Sequence, residues 1–96
     1  MVVHIVMFAF KEENKAANIA KTKVMLEALV EKIDGLKSME VGVNFTDSER
    51  AMDLSLYSTF DSKEDLALYA THPAHLEVVS FIKEVTTASK VVDYIK

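Results

Sequence analysis

Residues 69–75, with the sequence YATHPAH, hold one phenol and two imidazoles in a chain that has three histidines in all. If a helix begins at Pro73, His75 shares a face with Ile82 and points toward the apolar interior. The Tyr69 phenol could then donate a hydrogen bond to a carbonyl oxygen while the His75 imidazole removes a proton from the adjacent carbon. This pairing predicts enolisation chemistry, which requires neither a metal nor a redox cofactor.

The third histidine, His4, falls on the first predicted strand and shares a face with Phe8. Two inward imidazoles that face each other can share a hydrogen bond, so we expect His4 to orient His75 as a general base. The candidate catalytic residues are therefore Tyr69, His75 and His4, and the candidate ligand-binding residues are His72 and Phe8.

The same side chains also have plainer structural interpretations. His72, which precedes Pro73, is typical of a helix cap or turn residue with an exposed ring. His75 and Tyr69 are compatible with core positions satisfied by backbone groups, and a lone histidine on an apolar strand, such as His4, is commonly structural. A metal site is a weaker alternative, because a His-x-x-His pair across a bend lacks an obvious Asp or Glu partner. We expect no metal and no cofactor.

The composition fits one domain, residues 1–96, since half of the residues are hydrophobic and the chain has only two glycines and one proline. The net charge is −4 and the basic residues are scattered, which argues against nucleic acid and anionic membranes as partners. The absence of cysteine excludes thiolate nucleophiles and disulfides. The apolar start lacks the basic flank of a signal peptide and no run could span a bilayer, so we expect a cytoplasmic protein.

Hydrophobic periodicity predicts seven elements, which are strand 3–10, helix 14–33, strands 39–45 and 52–60, a short helix 62–69, a helix from residue 73, and strand 90–95. The order β-α-β-β-α-β, with the second helical region split before Pro73, predicts a ferredoxin-like α+β fold. Such a fold has a four-stranded antiparallel sheet with helices on one face.

Several local signals support these boundaries. Ser62 followed by Asp65 has the form of a capping box at the start of the short helix. Gly35 should end the first helix in a left-handed conformation. Gly42, in the middle of the second strand, indicates a bulge or a close approach.

The first strand is apolar on both faces, with Val3, Ile5, Met7 and Ala9 opposite the face that carries His4. A strand of this kind is central and covered on both sides. Because the helices cover one face only, we predict a homodimer that pairs its sheets through the other face.

Three segments, HIVMFAF, LYSTFDSKEDLALYATHPAH and VVDY, resemble the stress-responsive dimeric α/β-barrel (Dabb) family over essentially the whole chain. The resemblance implies ferredoxin-like domains that pair into a barrel, mostly without an assigned activity. One similar protein, the plant olivetolic acid cyclase, closes a linear poly-β-keto thioester by intramolecular aldol condensation. The similarity implies that His75 is the general base, that Tyr69 holds the thioester carbonyl and that His4 orients His75. At Asp34 the sequence departs from the family's usual proline.

We therefore expect a homodimeric Dabb protein with a small apolar pocket, which would take a small apolar or polyketide-like ligand. Cofactor-free cyclase or lyase chemistry at the Tyr/His pair is one hypothesis for its activity. A non-catalytic ligand-binding or stress-response module is the alternative. A cofactor-free monooxygenase or haem-degrading enzyme of the same architecture is a third, and the latter requires a haem-sized cavity and a proximal histidine.

Overall fold

The computed structural model describes residues 1–96 and contains four strands and four helices. In chain order the elements are β1 (Val2–Phe10), α1 (Lys15–Glu27), α2 (Leu29–Lys32), β2 (Leu36–Val43), β3 (Leu54–Phe60), α3 (Lys63–Thr71), α4 (Pro73–Val85) and β4 (Thr86–Ile95). The predicted order of elements is confirmed, with the first helical region interrupted at Ala28. No helix is both long and apolar enough to cross a membrane.

The four strands form one sheet in the order β2-β3-β1-β4, in which all neighbours are antiparallel. This is the predicted ferredoxin-like α+β fold, and β1 is central, as its two apolar faces indicate. The register places His4 opposite Ser58 on β3 and opposite Asp93 on β4. Residues that are 89 positions apart in the sequence, His4 and Asp93, therefore become neighbours.

The core lies between the helices and the sheet face that carries His4. Buried apolar side chains from β1, β3, α1 and α4 meet there, including Phe8, Leu56, Leu26 and Ile82. Each such side chain contributes roughly 1.5–3 kcal/mol when it leaves water. This packing holds α4 against the sheet and fixes the position of the residues at the start of α4.

The break between α3 and α4 forms as the sequence predicts. The Asp65 backbone N–H donates to Ser62 Oγ at 3.1 Å, which caps α3. Pro73 occupies the first turn of α4, where its missing N–H costs nothing. His72 ends one helix and begins the next, since its Nδ1 accepts a hydrogen bond from the Ala74 N–H at 3.1 Å.

Both glycine predictions are wrong. No glycine has a positive φ, so Gly35 does not end the helix in a left-handed conformation. A Cβ at Gly35 would instead lie 3.0 Å from Cβ of Asp65, so this glycine allows β2 and α3 to approach each other. The register shift of β2 lies between Leu36 and Ser38, and a Cβ at Gly42 would make only an ordinary contact.

One strand boundary is also wrong. Phe45 lies beyond the end of β2 and is 98% exposed, because the strand begins earlier than predicted and ends at Val43. On α4, Val78 and Ile82 are buried and Leu76 is half-exposed.

No helix covers the other face of the sheet, which is partly apolar and exposed around Met7, although Val3 on the same face is fully buried. Register places Ile5 and Met7 of β1 on this face beside Val92 and Lys90 of β4, respectively. Met7, Val92 and Tyr94 are 41%, 51% and 43% exposed. The edge strand β4 has no buried residue along its whole length.

Candidate functional site

A cavity of about 170 Å³ lies between the sheet and α4. Its lining consists of His4, Val6, Phe8, Leu26, Leu56, Tyr69, His75, Val79, Ile82, Lys83, Thr86 and Ser89. The three candidate catalytic residues and Phe8 are thus brought together at one cavity, and His72 is not part of its lining. His72 acts as the cap of α4, which agrees with its structural interpretation.

Tyr69 of α3 is the largest fully buried side chain, with 1% of its surface exposed. Its ring packs edge-on against Phe60, with centroids 5.1 Å apart, and lies 4.2 Å from the ring of His75. Burial raises the pKa of the Tyr69 phenol, so the group is a neutral donor at pH 7.

The Tyr69 hydroxyl is buried and has no hydrogen-bond partner. A buried polar group without a partner costs about 1–3 kcal/mol, and most buried polar groups in native proteins are paired. The hydroxyl belongs to a cavity-lining residue, so an oxygen atom of a bound ligand is a natural acceptor for it.

His75, on the first turn of α4, is oriented by the backbone of the preceding helix. Its Nδ1 lies 3.1 Å from the Ala70 carbonyl oxygen, and because a carbonyl only accepts, Nδ1 carries the proton. Burial is the main cause that lowers the pKa of His75. The hydrogen bond to the Ala70 carbonyl raises this pKa, and the nearby His4 and His72 lower it further. In the neutral ring Nε2 is therefore an unprotonated base at pH 7.

His4 is held by a carboxylate. Its Nδ1 lies 2.5 Å from Oδ1 of Asp93, so the Nδ1–H donates to Asp93 and Nε2 is left free. The His4 side chain is 16% exposed and that of Asp93 is 48% exposed. The ring of His4 meets that of Tyr69 edge-on at 6.3 Å between centroids, so His4 and His75 lie near the same phenol.

The expected hydrogen bond between His4 and His75 is absent. The Nδ1 atom of each ring is engaged elsewhere, with Asp93 for His4 and with the Ala70 carbonyl for His75. The prediction that His4 orients His75 is wrong, and two separate partners fix the two rings. Sequence reasoning missed Asp93, whose pairing with His4 depends on the register of β1 and β4.

The size of the cavity limits what it can enclose. A cavity of about 150 Å³ holds a benzene-sized molecule, and the cavity here has about 170 Å³. It therefore encloses a small ligand or one end of a larger one, and it has no room for a haem. No group of three His, Asp or Glu side chains converges in a way that could hold a metal ion.

Comparison with known proteins agrees with this architecture. The sequence profile of a family described as the stress responsive A/B barrel domain matches residues 2–96. A stress-response A/B barrel domain-containing protein of Arabidopsis thaliana is 34% identical over 79 residues, which are 82% of this chain and 30% of the plant protein. The chain thus spans less than a third of the length of that curated relative.

Solved structures share the fold. A dimeric protein of unknown function from Bacteroides fragilis has a TM-score of 0.87 and 34% identity, and the alignment covers 97% of this chain and 93% of that one. A hydroxynitrile lyase from Passiflora edulis has a TM-score of 0.88 at 21% identity, over 99% of this chain and 92% of the lyase, which shows the fold alone. The Bacteroides protein and two further neighbours are dimeric ferredoxin-like proteins.

Proposed function

The chain belongs to the stress-responsive A/B barrel domain family, and on that premise we propose that it is a homodimer with a cofactor-free proton-transfer site. At this site Tyr69 and His75 act on a small carbonyl compound, in a lyase or cyclase type of reaction. The observation that carries the proposal is the buried, unpaired hydroxyl of Tyr69, which lies beside His75 at an otherwise largely apolar cavity.

Each residue has one step in the proposed reaction. The Tyr69 O–H donates a hydrogen bond to the carbonyl oxygen of the ligand, and Nε2 of His75 removes a proton from the adjacent carbon. The electron pair of the broken C–H bond moves into the enolate, whose oxygen the phenol stabilises. The enolate then adds to a second carbonyl carbon of the ligand, whose C=O π electrons pass to its oxygen and whose oxygen takes the proton from His75, or the enolate carbon takes that proton back. His4, fixed by Asp93, offers Nε2 as a second proton carrier.

Exchange of carbon-bound protons with solvent tests this proposal without knowledge of the natural substrate. The protein is incubated in D₂O with small ketones, aldehydes, linear keto acids and β-keto thioesters, and loss of the α-proton signals is followed by ¹H NMR. We expect at least one compound to exchange about 10²–10⁴-fold faster than in buffer, which is the usual range for general acid–base catalysis.

Two variants and one control assign the exchange to the site. Tyr69→Phe removes the donor, and His75→Asn removes the base and keeps an N–H that can reach the Ala70 carbonyl, so both should abolish the acceleration. Leu76→Ala, an exposed change beside His75, should leave it unaltered. If the folded wild-type protein accelerates no exchange in this panel, the catalytic proposal fails, and the non-catalytic binding module becomes the better explanation.

The homodimer is proposed to form through the uncovered sheet face. The exposed apolar side chains Met7, Val92 and Tyr94 on that face support this arrangement, because apolar patches of this kind commonly mark association surfaces. The dimeric state of the related Bacteroides protein supports it as well.

A further inference from the structure

The cavity beside α4 has two chemically different ends. One end carries His4, Tyr69 and His75, and the other carries Lys83, Thr86 and Ser89. Along α4, His75 and Lys83 are eight residues apart, which corresponds to about 12 Å of helix axis. Across the sheet, Ser89 lies opposite Phe8, four residues and about 13 Å along β1 from His4. The spacing along α4 and the spacing along β1 therefore give a similar distance between the two ends of the cavity.

Lys83 is the only ammonium group of the lining, and no Asp or Glu lines the cavity, although the chain has 15 acidic residues. None of the ion pairs in the structure includes Lys83. On α1, by contrast, Lys23 is paired with Glu27 at 3.4 Å. Because Lys83 is exposed, it marks the end of the cavity that is open to solvent. This end therefore favours a negatively charged group, and Ser89 offers a further hydrogen-bond donor.

The wall between the two ends is apolar, with Val6, Phe8, Leu56, Val79 and Ile82 in the lining. Phe8 and Ile82 are buried, so this part of the cavity excludes polar groups of a ligand unless they are paired. A ligand that fits must therefore be polar at both ends and hydrocarbon in the middle.

We propose that the substrate is a short linear keto acid. This proposal rests on the proton-transfer site proposed above. Its carbonyl lies between Tyr69 and His75, its hydrocarbon chain follows the apolar wall, and its carboxylate pairs with Lys83 at the mouth. Side chains on a helix lean toward its N-terminus, so the Lys83 ammonium group lies closer to His75 than the axial separation of about 12 Å. The keto acids to be tested therefore have three to five bonds between the carbonyl carbon and the carboxylate carbon. The carboxylate stays in contact with water, so the cavity of about 170 Å³ needs to enclose only the keto end.

Binding of 5-oxohexanoate and of its uncharged methyl ester tests this proposal. Affinities are measured by ¹H–¹⁵N NMR titration at low salt, with 4-oxopentanoate and 6-oxoheptanoate and their esters as length controls. We expect the wild-type protein to bind the acid about tenfold more tightly than the ester, with shifts at the Tyr69 and His75 amides. Lys83→Gln should remove this preference and leave the ester affinity unchanged. Lys32→Gln, which removes the same charge from the end of α2 outside this cavity, should change neither affinity.

Equal affinity for acid and ester in the wild-type protein, an equal effect of the two lysine variants, or no binding of any acid in the series would overturn the keto acid assignment. The outcome is separable from that of the proton-transfer proposal. Binding of the acid through Lys83 without exchange of its α-protons would sustain the ligand class and refute proton transfer. Equally fast exchange of acid and ester, unaffected by Lys83→Gln, would sustain proton transfer and refute the ligand class.

Discussion

The hydroxyl of Tyr69 costs the folded protein stability, because it is buried without a partner. Tyr69→Phe keeps the ring packed against Phe60 and removes the unpaired group, so we expect the free energy of unfolding to rise by about 1 kcal/mol. For a domain of this size that corresponds to an increase in Tm of about 4–8 °C. Thermal denaturation followed by circular dichroism measures it, and a lower Tm would mean that the hydroxyl has a partner in the folded protein.

The titration of His75 gives a second prediction for a single residue. Burial holds its pKa below the ordinary value of 6.5, so the base stays unprotonated to lower pH than a free imidazole. The α-proton exchange rate should therefore be constant from pH 8 to about 6.5 and should fall as the pH drops through the lowered pKa of His75.

The same lowered pKa links His75 to folding. Since protonation of His75 is easier in the unfolded chain, its contribution to stability is complete above about pH 6.5 and is lost as the pH falls through the folded-state pKa. NMR titration of the imidazole resonances measures the midpoint and shows which nitrogen carries the proton. A titration midpoint at or above pH 6.5 for His75 would contradict the lowered pKa.

At this scale the sequence was sufficient to predict that Tyr69, His75 and His4 come together, and it missed the hydrogen-bond partners of the two histidines. Helical phase was sufficient to bring His75 toward the sheet, because positions three and four apart share a helix face. The Ala70 carbonyl and Asp93 could not be found in this way. The first depends on the angle between two helices, and the second depends on the pairing register of strands that lie at opposite ends of the chain.

At the level of elements, the junction of α3 and α4 positions the site. His72 stabilises this junction, because it ends α3 and caps α4. Its Nδ1 accepts the Ala74 N–H, so His72→Ala should destabilise the protein by about 1 kcal/mol through loss of the cap. His72→Asn supplies another N-cap acceptor and should restore most of this stability. Urea denaturation of both variants measures the effect. Equal stability of the His72→Ala and His72→Asn variants would contradict the role of His72 as a cap. Equally weakened ligand binding by both variants would indicate that His72 contacts the ligand.

The predicted elements failed where a boundary depended on tertiary contact. Gly35 looks like a helix terminator in the sequence, yet its role is to let Asp65 approach, which no local pattern reveals. Phe45 extends the apolar alternation of the second strand, but the strand pairs with β3 only through Val43 and leaves Phe45 in solvent. The order and type of the elements, by contrast, follow from hydrophobic periodicity and from the helix-start signals at Ser62 and Pro73.

For the molecule as a whole, the candidate site and the proposed association surface lie on opposite faces of one sheet. Alternation along β1 sends His4 and Phe8 toward the helices and Ile5 and Met7 toward the open face. A change on the open face can therefore disturb association without contact with the cavity. This separation also means that dimerisation and proton transfer can be tested independently.

Val92 and Val91 of β4 provide a matched pair for the test of association. Val92 is 51% exposed on the open face, and Val91 is 62% exposed on the helix side of the same strand. If two copies pair through the open face, Val92→Lys places an ammonium group and its counterpart from the second copy in an apolar interface, where unpaired charges are costly. Sedimentation velocity at micromolar concentration should give a dimer for the wild-type protein and for Val91→Lys, and a monomer for Val92→Lys. A wild-type monomer would refute the homodimer, and dissociation by Val91→Lys alone would move the interface to the other side of β4.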